Sequence, residues 1–301
     1  MPQRSRSLRP TTSSASSPAP RLKRRRSKDG LLQFVVAGAP HLQQAANLAA
    51  VAINPSTCVL HTTAPSAPVL EHLLTSYKDT TEAIEDATRA ILEQCERSKT
   101  VRRVISTGSV ITASPLREDG EGYKEFVNES CWTPLSLPID HNNEFMHEYL
   151  SSKCIAEKEL VKYNDRPSEG RAFDIIVLLL GLVAGDTLGL LPYINKSQHF
   201  MLSPFTGIEP YHNALRFTQA VLGAVPVVHV DDVSEAHVFC MERQHDVAAG
   251  RYLCATAHTN MQDMVEHYAG KHPELKLARK EYFSSTKYSK LSVWWCINCE
   301  L

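Results

Sequence analysis

Hydrophobic residues along the chain alternate between short continuous runs and segments in which they recur every three or four positions. Continuous runs bounded by turn residues are typical of buried strands, whereas the wider spacing is typical of helices that bury one face. Because the two patterns alternate, we expect an α/β fold with a doubly wound parallel sheet and helices on both faces. The pattern predicts strands over 31–38, 57–65, 101–110 and 172–183, and helices over 41–53, 80–99 and 148–163.

The segment from Thr80 has the clearest helical pattern. Its hydrophobic residues Ile84, Ala87, Ile91 and Cys95 recur at helical spacing, so they fall on one side of the predicted helix. We expect this side to be buried against the rest of the fold.

The regular alternation of strands and helices ends near residue 187. Residues 187–281 combine helical and strand patterns, and we expect a small, mixed substrate lobe that is interleaved with the sheet. Residues 282–301 form a divergent tail that contains one Cys-x-x-C pair, Cys296 and Cys299. One such pair without a second is weak evidence for zinc, so no metal site is predicted.

Residues 1–30 differ from the rest of the chain. Nine of the first 28 residues are lysine or arginine, and no acidic residue precedes Asp29. Such a segment buries too little apolar surface to order itself, so we expect a disordered basic arm. Two alternatives stay open: a transit peptide that would direct the protein to a plastid, and a nuclear or RNA-binding arm built on the sequence "RLKRRRSK".

The overall composition argues against several classes of function. The formal net charge is −1 over 301 residues, so no overall field attracts nucleic acid or a membrane surface. The longest apolar run, which begins at Ile175, is too short to span a bilayer. Eight scattered cysteines and the lack of an apolar leader segment indicate reduced thiols, and we expect a cytoplasmic location.

Tyr149 and Lys153 lie four residues apart in the predicted helix 148–163. At this spacing two side chains share one helix face, and a nearby ammonium favours the phenolate form of a tyrosine. Such a tyrosine can donate a proton to a carbonyl oxygen while a hydride reaches the carbon. Ser109 follows the preceding strand and can polarise the same oxygen, with Thr107 as a nearby substitute. The alternative is that Tyr149 and Lys153 are polar residues on a solvated face.

Longer stretches of the sequence carry a resemblance to a known family. The segments "KTVRRVISTGSV", "NESCWTPL", "YLSSKCIAEKEL" and "VHVDDVSEAHVF" resemble extended short-chain dehydrogenases/reductases, in the group of plant dihydroflavonol, anthocyanidin and cinnamoyl-CoA reductases. The stretch "SPFTGIEPYHNALRFTQAVLGAVPVVHVDD" is similar to the NADPH-dependent HC-toxin reductases of grasses. The resemblance covers roughly residues 33–281 and implies a Rossmann-like sheet, with 31–186 as a partial NAD(P)-binding domain.

The resemblance also implies a function. The expected reaction is NADPH-dependent reduction of a carbonyl group on a plant or fungal secondary metabolite, either an HC-toxin-like epoxy-ketone or a flavonoid-type compound. Tyr149 is then the proton donor, Lys153 holds the nicotinamide ribose and tunes Tyr149, and Ser109 orients the carbonyl. The residues implied to lie along the NADPH cofactor are Thr62, Ala64, Pro65, Thr107, Gly108, Leu179 and Leu182, together with Tyr149 and Lys153. The implied partner is a small-molecule carbonyl substrate, without a metal, a membrane or nucleic acid.

The sequence departs from the family pattern where the cofactor phosphates bind. Family members begin with a strand and a Gly-x-x-Gly-x-x-Gly turn, whose backbone N–H groups receive the pyrophosphate. Here the early glycines are Gly30 and Gly38, and neither has that spacing. We therefore expect an N-terminally truncated fold, an exposed edge on the neighbouring strand, and impaired NADPH binding. The alternative function is that of a non-catalytic relative that has lost cofactor binding and acts as a binding module or does not persist.

The motif "HVDD" lies in the predicted lobe. We expect His229 and Asp231 to brace the junction between the lobe and the sheet rather than to take part in chemistry. Asp231 and Asp232 are expected to cap the helix that follows, because aspartate is a favoured N-cap residue.

Overall fold

The computed structural model describes residues 48–54, 57–62, 80–185, 196–243 and 247–274. The basic arm, the predicted strand 31–38 and the divergent tail lie outside these ranges. In chain order the elements are β1 (Leu48–Asn54), β2 (Thr57–Thr62), α1 (Thr80–Ser98), β3 (Arg103–Ser109), α2 (Glu144–Asn164), β4 (Asp174–Leu180), β5 (Leu182–Ala184), α3 (Lys196–Thr206), α4 (Glu209–Leu222), β6 (Val225–His229), α5 (Val230–Glu242), β7 (Gly250–Cys254), β8 (Ala257–Thr259) and α6 (Met261–Lys271).

The main sheet has five strands in the order β1-β2-β3-β4-β7. Strands β2, β3, β4 and β7 run parallel to one another, while β1 is antiparallel to β2. The predicted Rossmann-like parallel α/β sheet is therefore confirmed. The register pairs Ser109 at the end of β3 with Leu180 at the end of β4, so both carboxyl ends meet at one edge. This is the edge at which such sheets form a ligand crevice.

The prediction of a helix over 41–53 is wrong for residues 48–53, which belong to strand β1 (Leu48–Asn54). The alanine-rich sequence favours a helix on local propensity alone. Pairing with β2 instead satisfies the backbone N–H and C=O groups along one edge of that strand, and this tertiary demand overrides propensity. The predicted exposed edge is wrong for the same reason, because β2 is paired with β1 on one side and β3 on the other.

Helices cover both faces of the sheet. On one face, α1 and α2 pack over the strands, and the predicted apolar side of α1 is buried: Ile84, Ala87, Ile91 and Cys95 are each no more than 5% exposed. On the other face, Cys240 of α5 packs in a second cluster with side chains of β3, β4 and β7. Burial of apolar side chains on both faces accounts for the continuous hydrophobic runs in the parallel strands.

The predicted strand 172–183 is divided at Gly181. Strand β4 ends at Leu180, and the chain then enters a second sheet of order β5-β6-β8. Strand β5 is parallel to β6, whereas β8 is antiparallel to β6, so this small sheet is mixed. Gly181 passes close to Pro226 of β6, and a Cβ atom added to Gly181 would lie 2.8 Å from the Pro226 carbonyl oxygen. A glycine is therefore needed where the chain crosses between the sheets.

We expect the substitution Gly181→Ala to lower the free energy of unfolding by about 1–3 kcal/mol, because the added Cβ would overpack against backbone atoms. The matched control is Gly270→Ala in α6, where no atom lies within 4 Å of the added Cβ and alanine is the better helix former. Urea unfolding followed by circular dichroism measures both variants. Equal midpoints for Gly181→Ala and the unsubstituted chain would contradict the prediction.

The prediction that Asp231 and Asp232 cap the following helix is wrong. Helix α5 begins at Val230, which places both aspartates in its first turn, and its N-cap is His229. The imidazole Nδ1 of His229 accepts a hydrogen bond from the Asp231 backbone N–H at 3.2 Å. A ring nitrogen therefore caps the helix where a carboxylate was expected. The two aspartates in the first turn still stabilise the helix, because their negative charges lie at the positive end of its dipole. The ring of His229 also lies close to Gly185, the residue directly after β5, because a Cβ added to Gly185 would lie 2.5 Å from Nε2 of His229.

Two further observations concern the described part of the chain. Six of the eight cysteines lie in the described ranges, and five of them, Cys95, Cys131, Cys154, Cys240 and Cys254, are buried free thiols. Among the described residues, we find no helix with the length and apolar character needed to cross a bilayer.

Candidate active site

Ser109 is the last residue of β3, at the carboxyl edge of the sheet. Its backbone is extended, and its hydroxyl accepts a weak hydrogen bond of 3.4 Å from the Ile111 N–H at the start of a 3-10 turn. The Thr112 hydroxyl lies 2.9 Å from the Ser109 carbonyl oxygen. The strand end and the turn after it therefore hold Ser109 at one place.

Tyr149 and Lys153 lie on α2, as the sequence predicts. The helix begins after Asn143, whose side chain caps it by accepting a hydrogen bond of 2.9 Å from the Met146 N–H. The Lys153 ammonium lies 5.9 Å from the centre of the Tyr149 ring. Lys153 is only 8% exposed, so the alternative of a solvated polar pair does not describe its environment.

The environment controls the charge of each group. Burial raises the pKa of the Tyr149 phenol above its usual value, and a hydrogen bond with the Ser109 side chain opposes the rise. The phenol is therefore protonated at neutral pH, which is the form that can donate a proton. Burial lowers the pKa of Lys153 to about 8, while the Glu157 carboxylate raises it and the Lys196 ammonium lowers it further. Lys153 therefore remains largely charged at pH 7.

Ser109 and Tyr149 line the same cleft, which has a volume of about 30 Å³. The cleft lies where the ends of β3 and β4 meet the second sheet and helices α3 and α4. Besides Ser109, Tyr149 and Thr218, the residues that line the cleft are apolar, and they include Met146, Leu182, Phe200, Leu222 and Pro226. The arrangement places the hydroxyl groups of Ser109 and Tyr149 next to hydrocarbon, so it can receive the polar group of an otherwise apolar molecule.

Thr107 and Gly108 have packing roles in the structure. The Thr107 hydroxyl lies 3.0 Å from Nε2 of His237 on α5, and Nδ1 of the same ring lies 2.7 Å from the Val233 carbonyl oxygen. Because Nδ1 faces a carbonyl acceptor, it carries the proton, and Nε2 accepts from Thr107. A Cβ added to Gly108 would lie 2.9 Å from Cδ2 of Leu179. This glycine therefore permits close packing of β3 against β4.

The other residues that the resemblance assigns to the cofactor lie in different places. Leu182 lines the cleft beside Tyr149, whereas Leu179 is fully buried in the main core and packs away from it. Thr62 is the last residue of β2 and lies next to β3 in the sheet. Ala64 and Pro65 lie outside the described residues. The assignment of all these residues to the cofactor stays a prediction.

Sequence reasoning did not identify several polar residues behind the site. Glu157 and Arg251 form a buried ion pair, and Thr112 hydrogen-bonds the same carboxylate. Glu157 could have been noticed because it lies one helical turn after Lys153, on the same face of α2. No local pattern marks Arg251 on β7 or His237 on α5. Within the described ranges, we find no group of three or more side chains suited to binding a metal ion.

Comparison with known proteins places these residues in a family context. No family model matches the chain. Anthocyanidin reductase ((2S)-flavan-3-ol-forming) from Vitis vinifera is 30% identical over 187 residues, which cover 62% of this chain and 52% of the relative. Vestitone reductase from Medicago sativa is 27% identical over 211 residues, which cover 70% of this chain and 58% of the relative. The chain spans about half the length of the curated relatives it matches.

Solved structures share the fold. Yeast methylglyoxal/isovaleraldehyde reductase complexed with NADPH matches with a TM-score of 0.51 at 17% sequence identity, covering 71% of this chain and 61% of the yeast chain. At this level of identity the match establishes the fold alone, which is the Rossmann-like sheet described above.

Proposed function

Because the chain belongs to the extended short-chain dehydrogenase/reductase family, in the group of anthocyanidin and vestitone reductases, we propose that it is an NADPH-dependent carbonyl reductase. The observation that carries the proposal is that Ser109 and Tyr149 line the same cleft, with the nearly inaccessible Lys153 ammonium one turn further along the Tyr149 helix. A serine, a tyrosine and a lysine in this order supply the polar groups that carbonyl reduction requires.

Each of the three residues has a separate task in the proposed reaction. The Ser109 hydroxyl donates a hydrogen bond to the substrate carbonyl oxygen and so orients it. The Tyr149 phenol transfers its proton to that oxygen as negative charge develops there. The Lys153 ammonium, only 8% exposed, favours the phenolate that remains, because unlike charges attract strongly where water is excluded.

The residues present fit the nicotinamide end of the cofactor. A charged lysine that is almost inaccessible to solvent is suited to donate hydrogen bonds to ribose hydroxyl groups, and Lys153 has this character. NADPH, when bound, supplies the hydride. The residues expected at the phosphates include Ala64 and Pro65, which lie outside the described ranges, and the sequence has no glycine-rich turn. The burial and charge of Lys153 therefore support the proposed place of the nicotinamide end, whereas the phosphate end is proposed from the sequence resemblance.

The lining of the cleft supports a largely apolar substrate. Met146, Phe200 and Leu222 present hydrocarbon close to the two hydroxyl groups. A planar aromatic compound of the flavonoid type, or an epoxy-ketone on an apolar chain as in HC-toxin, would bury its hydrocarbon there and present its carbonyl to Ser109 and Tyr149. We propose a secondary metabolite of one of these two kinds as the substrate.

We expect the purified chain to bind NADPH, and Lys153→Ala to weaken that binding about tenfold or more, because a charge-assisted hydrogen bond contributes roughly 1.5–3 kcal/mol. Isothermal titration calorimetry measures both affinities. The control is Lys162→Ala, which removes a lysine from the same helix whose side chain is 74% exposed. No detectable binding by the folded unsubstituted chain would overturn the proposal. It would favour the alternative, a non-catalytic relative that has lost cofactor binding.

A further inference from the structure

A buried ion pair lies behind the candidate active site. Nε of Arg251 donates to Oε1 of Glu157 at 2.5 Å, and the two side chains are 5% and 4% exposed. Arg251 belongs to β7, and Glu157 belongs to α2, one turn after Lys153. The pair therefore joins the strand at the edge of the described sheet to the helix that carries Tyr149 and Lys153.

The carboxylate of this pair is connected to Ser109 through one residue. The Thr112 hydroxyl lies 2.7 Å from Oε2 of Glu157 and 2.9 Å from the Ser109 carbonyl oxygen. Both oxygens of Glu157 are thus engaged, one by Arg251 and the other by Thr112. A displacement of the carboxylate would be transmitted to the end of β3, where Ser109 lies.

Arg251 also holds the segment that supports the turn after Ser109. Its Nη1 donates to the carbonyl oxygens of Glu129 and Cys131, each at 2.7 Å, and its guanidinium lies 3.8 Å from the centre of the Trp132 ring. The next residue, Thr133, donates from its backbone N–H to the Thr112 carbonyl oxygen at 2.9 Å. The guanidinium therefore anchors the segment that pairs with the active-site turn.

The same carboxylate acts on Lys153 through its charge. Two charged groups act on the Lys153 ammonium: Glu157 raises the pKa of Lys153 and Lys196 lowers it, while the Tyr149 ring lies beside the ammonium. Burial is the largest influence and favours the neutral amine. Glu157 therefore opposes loss of the charge on Lys153.

We propose that Glu157 and Arg251 are positioning residues of the reductase site, which hold the Ser109 end of β3 in place and stabilise the charged form of Lys153. The role in reduction rests on the proposed function. The contacts of Glu157 with Arg251 and Thr112 do not depend on that function, because they are present in the folded chain. Burial raises the pKa of the Glu157 carboxyl, and the Arg251 charge opposes that rise. Arg251 therefore favours the ionised form of Glu157 and orients it, and Glu157 acts on Ser109 through Thr112 and on Lys153 through space.

The test is the titration of Lys153 in Glu157→Gln, followed by 13C NMR of chain labelled at the lysine Cε carbons. The Lys153 signal is assigned by its loss in Lys153→Arg. Because glutamine carries no charge, the ammonium loses its attractive partner, and the pKa of Lys153 should fall from about 8 by roughly one unit or more. The control is Glu159→Gln, on the same helix, whose carboxylate pairs with Lys162 and Arg89 instead.

A second variant separates this role from a purely structural one. Glu157→Gln leaves the Arg251 charge buried without its partner and could unfold the chain for that reason alone. Glu157→Gln combined with Arg251→Gln removes both charges, and the folded double variant should show the same fall in the pKa of Lys153. An unchanged Lys153 titration in a folded variant would overturn the inference, even if stability were reduced.

The NMR titration also separates this inference from the proposed function, because it needs neither NADPH nor turnover. A fall in the pKa of Lys153 in a chain that binds no NADPH would support the linkage and overturn the reductase assignment. If the chain reduces carbonyls, the basic limb of the pH dependence of kcat/KM should move to lower pH in Glu157→Gln, together with the titration of Lys153. A basic limb that stays at the same pH would contradict the positioning role.

Discussion

Carbonyl reduction by the chain is expected to fall by about a thousandfold when Tyr149 is replaced by phenylalanine, because proton transfer by a positioned side chain contributes roughly 10²–10⁴ to the rate. The Tyr149 phenol lies beside Ser109 in the cleft, and burial raises its pKa above the usual value, which favours the protonated form. Phenylalanine retains the ring but has no proton to transfer. The expected change is therefore in kcat, with NADPH affinity close to that of the unsubstituted chain, as measured by NADPH oxidation and by calorimetry.

The control for this experiment is another tyrosine on the same helix. Tyr163 is buried near the end of α2, and its ring stacks on Phe173 with the ring centres 4.5 Å apart. Tyr163→Phe keeps this stacking and lies away from the cleft, so turnover should change little. Equal activity of Tyr149→Phe and the unsubstituted chain would exclude Tyr149 as the proton donor. A loss of NADPH binding in Tyr149→Phe would point to a structural effect of the substitution instead.

The largest expected change in stability comes from Arg103, at the opposite end of β3 from Ser109. Its side chain is 1% exposed and binds the Asp174 carboxylate through Nε at 2.8 Å and Nη2 at 2.5 Å. It also donates to the carbonyl oxygens of Cys240 and Val247, at 3.1 and 2.8 Å. Arg103→Met is expected to cost about 3–5 kcal/mol, because it leaves a carboxylate and two carbonyls without their donor.

Equilibrium unfolding in urea measures this loss. The matched control is Arg97→Met on α1, whose ion pair with Glu93 is exposed at both partners, 66% and 49%, and should contribute less than about 1 kcal/mol. The two variants remove the same charge from the same chain, so the comparison isolates the effect of burial on the free energy of unfolding. Similar midpoints for Arg103→Met and Arg97→Met would show that the Arg103 cluster does not contribute to stability as its geometry indicates.

Features that depend on neighbours in sequence could be predicted without the structure. The buried face of α1 follows from the spacing of Ile84, Ala87, Ile91 and Cys95, because helical periodicity places them on one side. The predictions were wrong where a segment distant in sequence determines the local structure. Residues 48–54 form a strand because the edge of β2 needs a partner, and His229 caps α5 because that helix begins two residues earlier than an Asp231 cap would place it.

The sequence by itself determined the alternation of strands and helices, the helical spacing of Tyr149 and Lys153, and the position of Ser109 at the end of a strand. Only the tertiary structure brought Arg251 to Glu157 across 94 residues and Thr107 to His237 across 130 residues. The physical reason is that periodicity reports which face of an element is apolar, whereas a buried polar group needs a partner wherever the fold supplies one. The Arg251 partner of Glu157 therefore became visible only after the chain was folded.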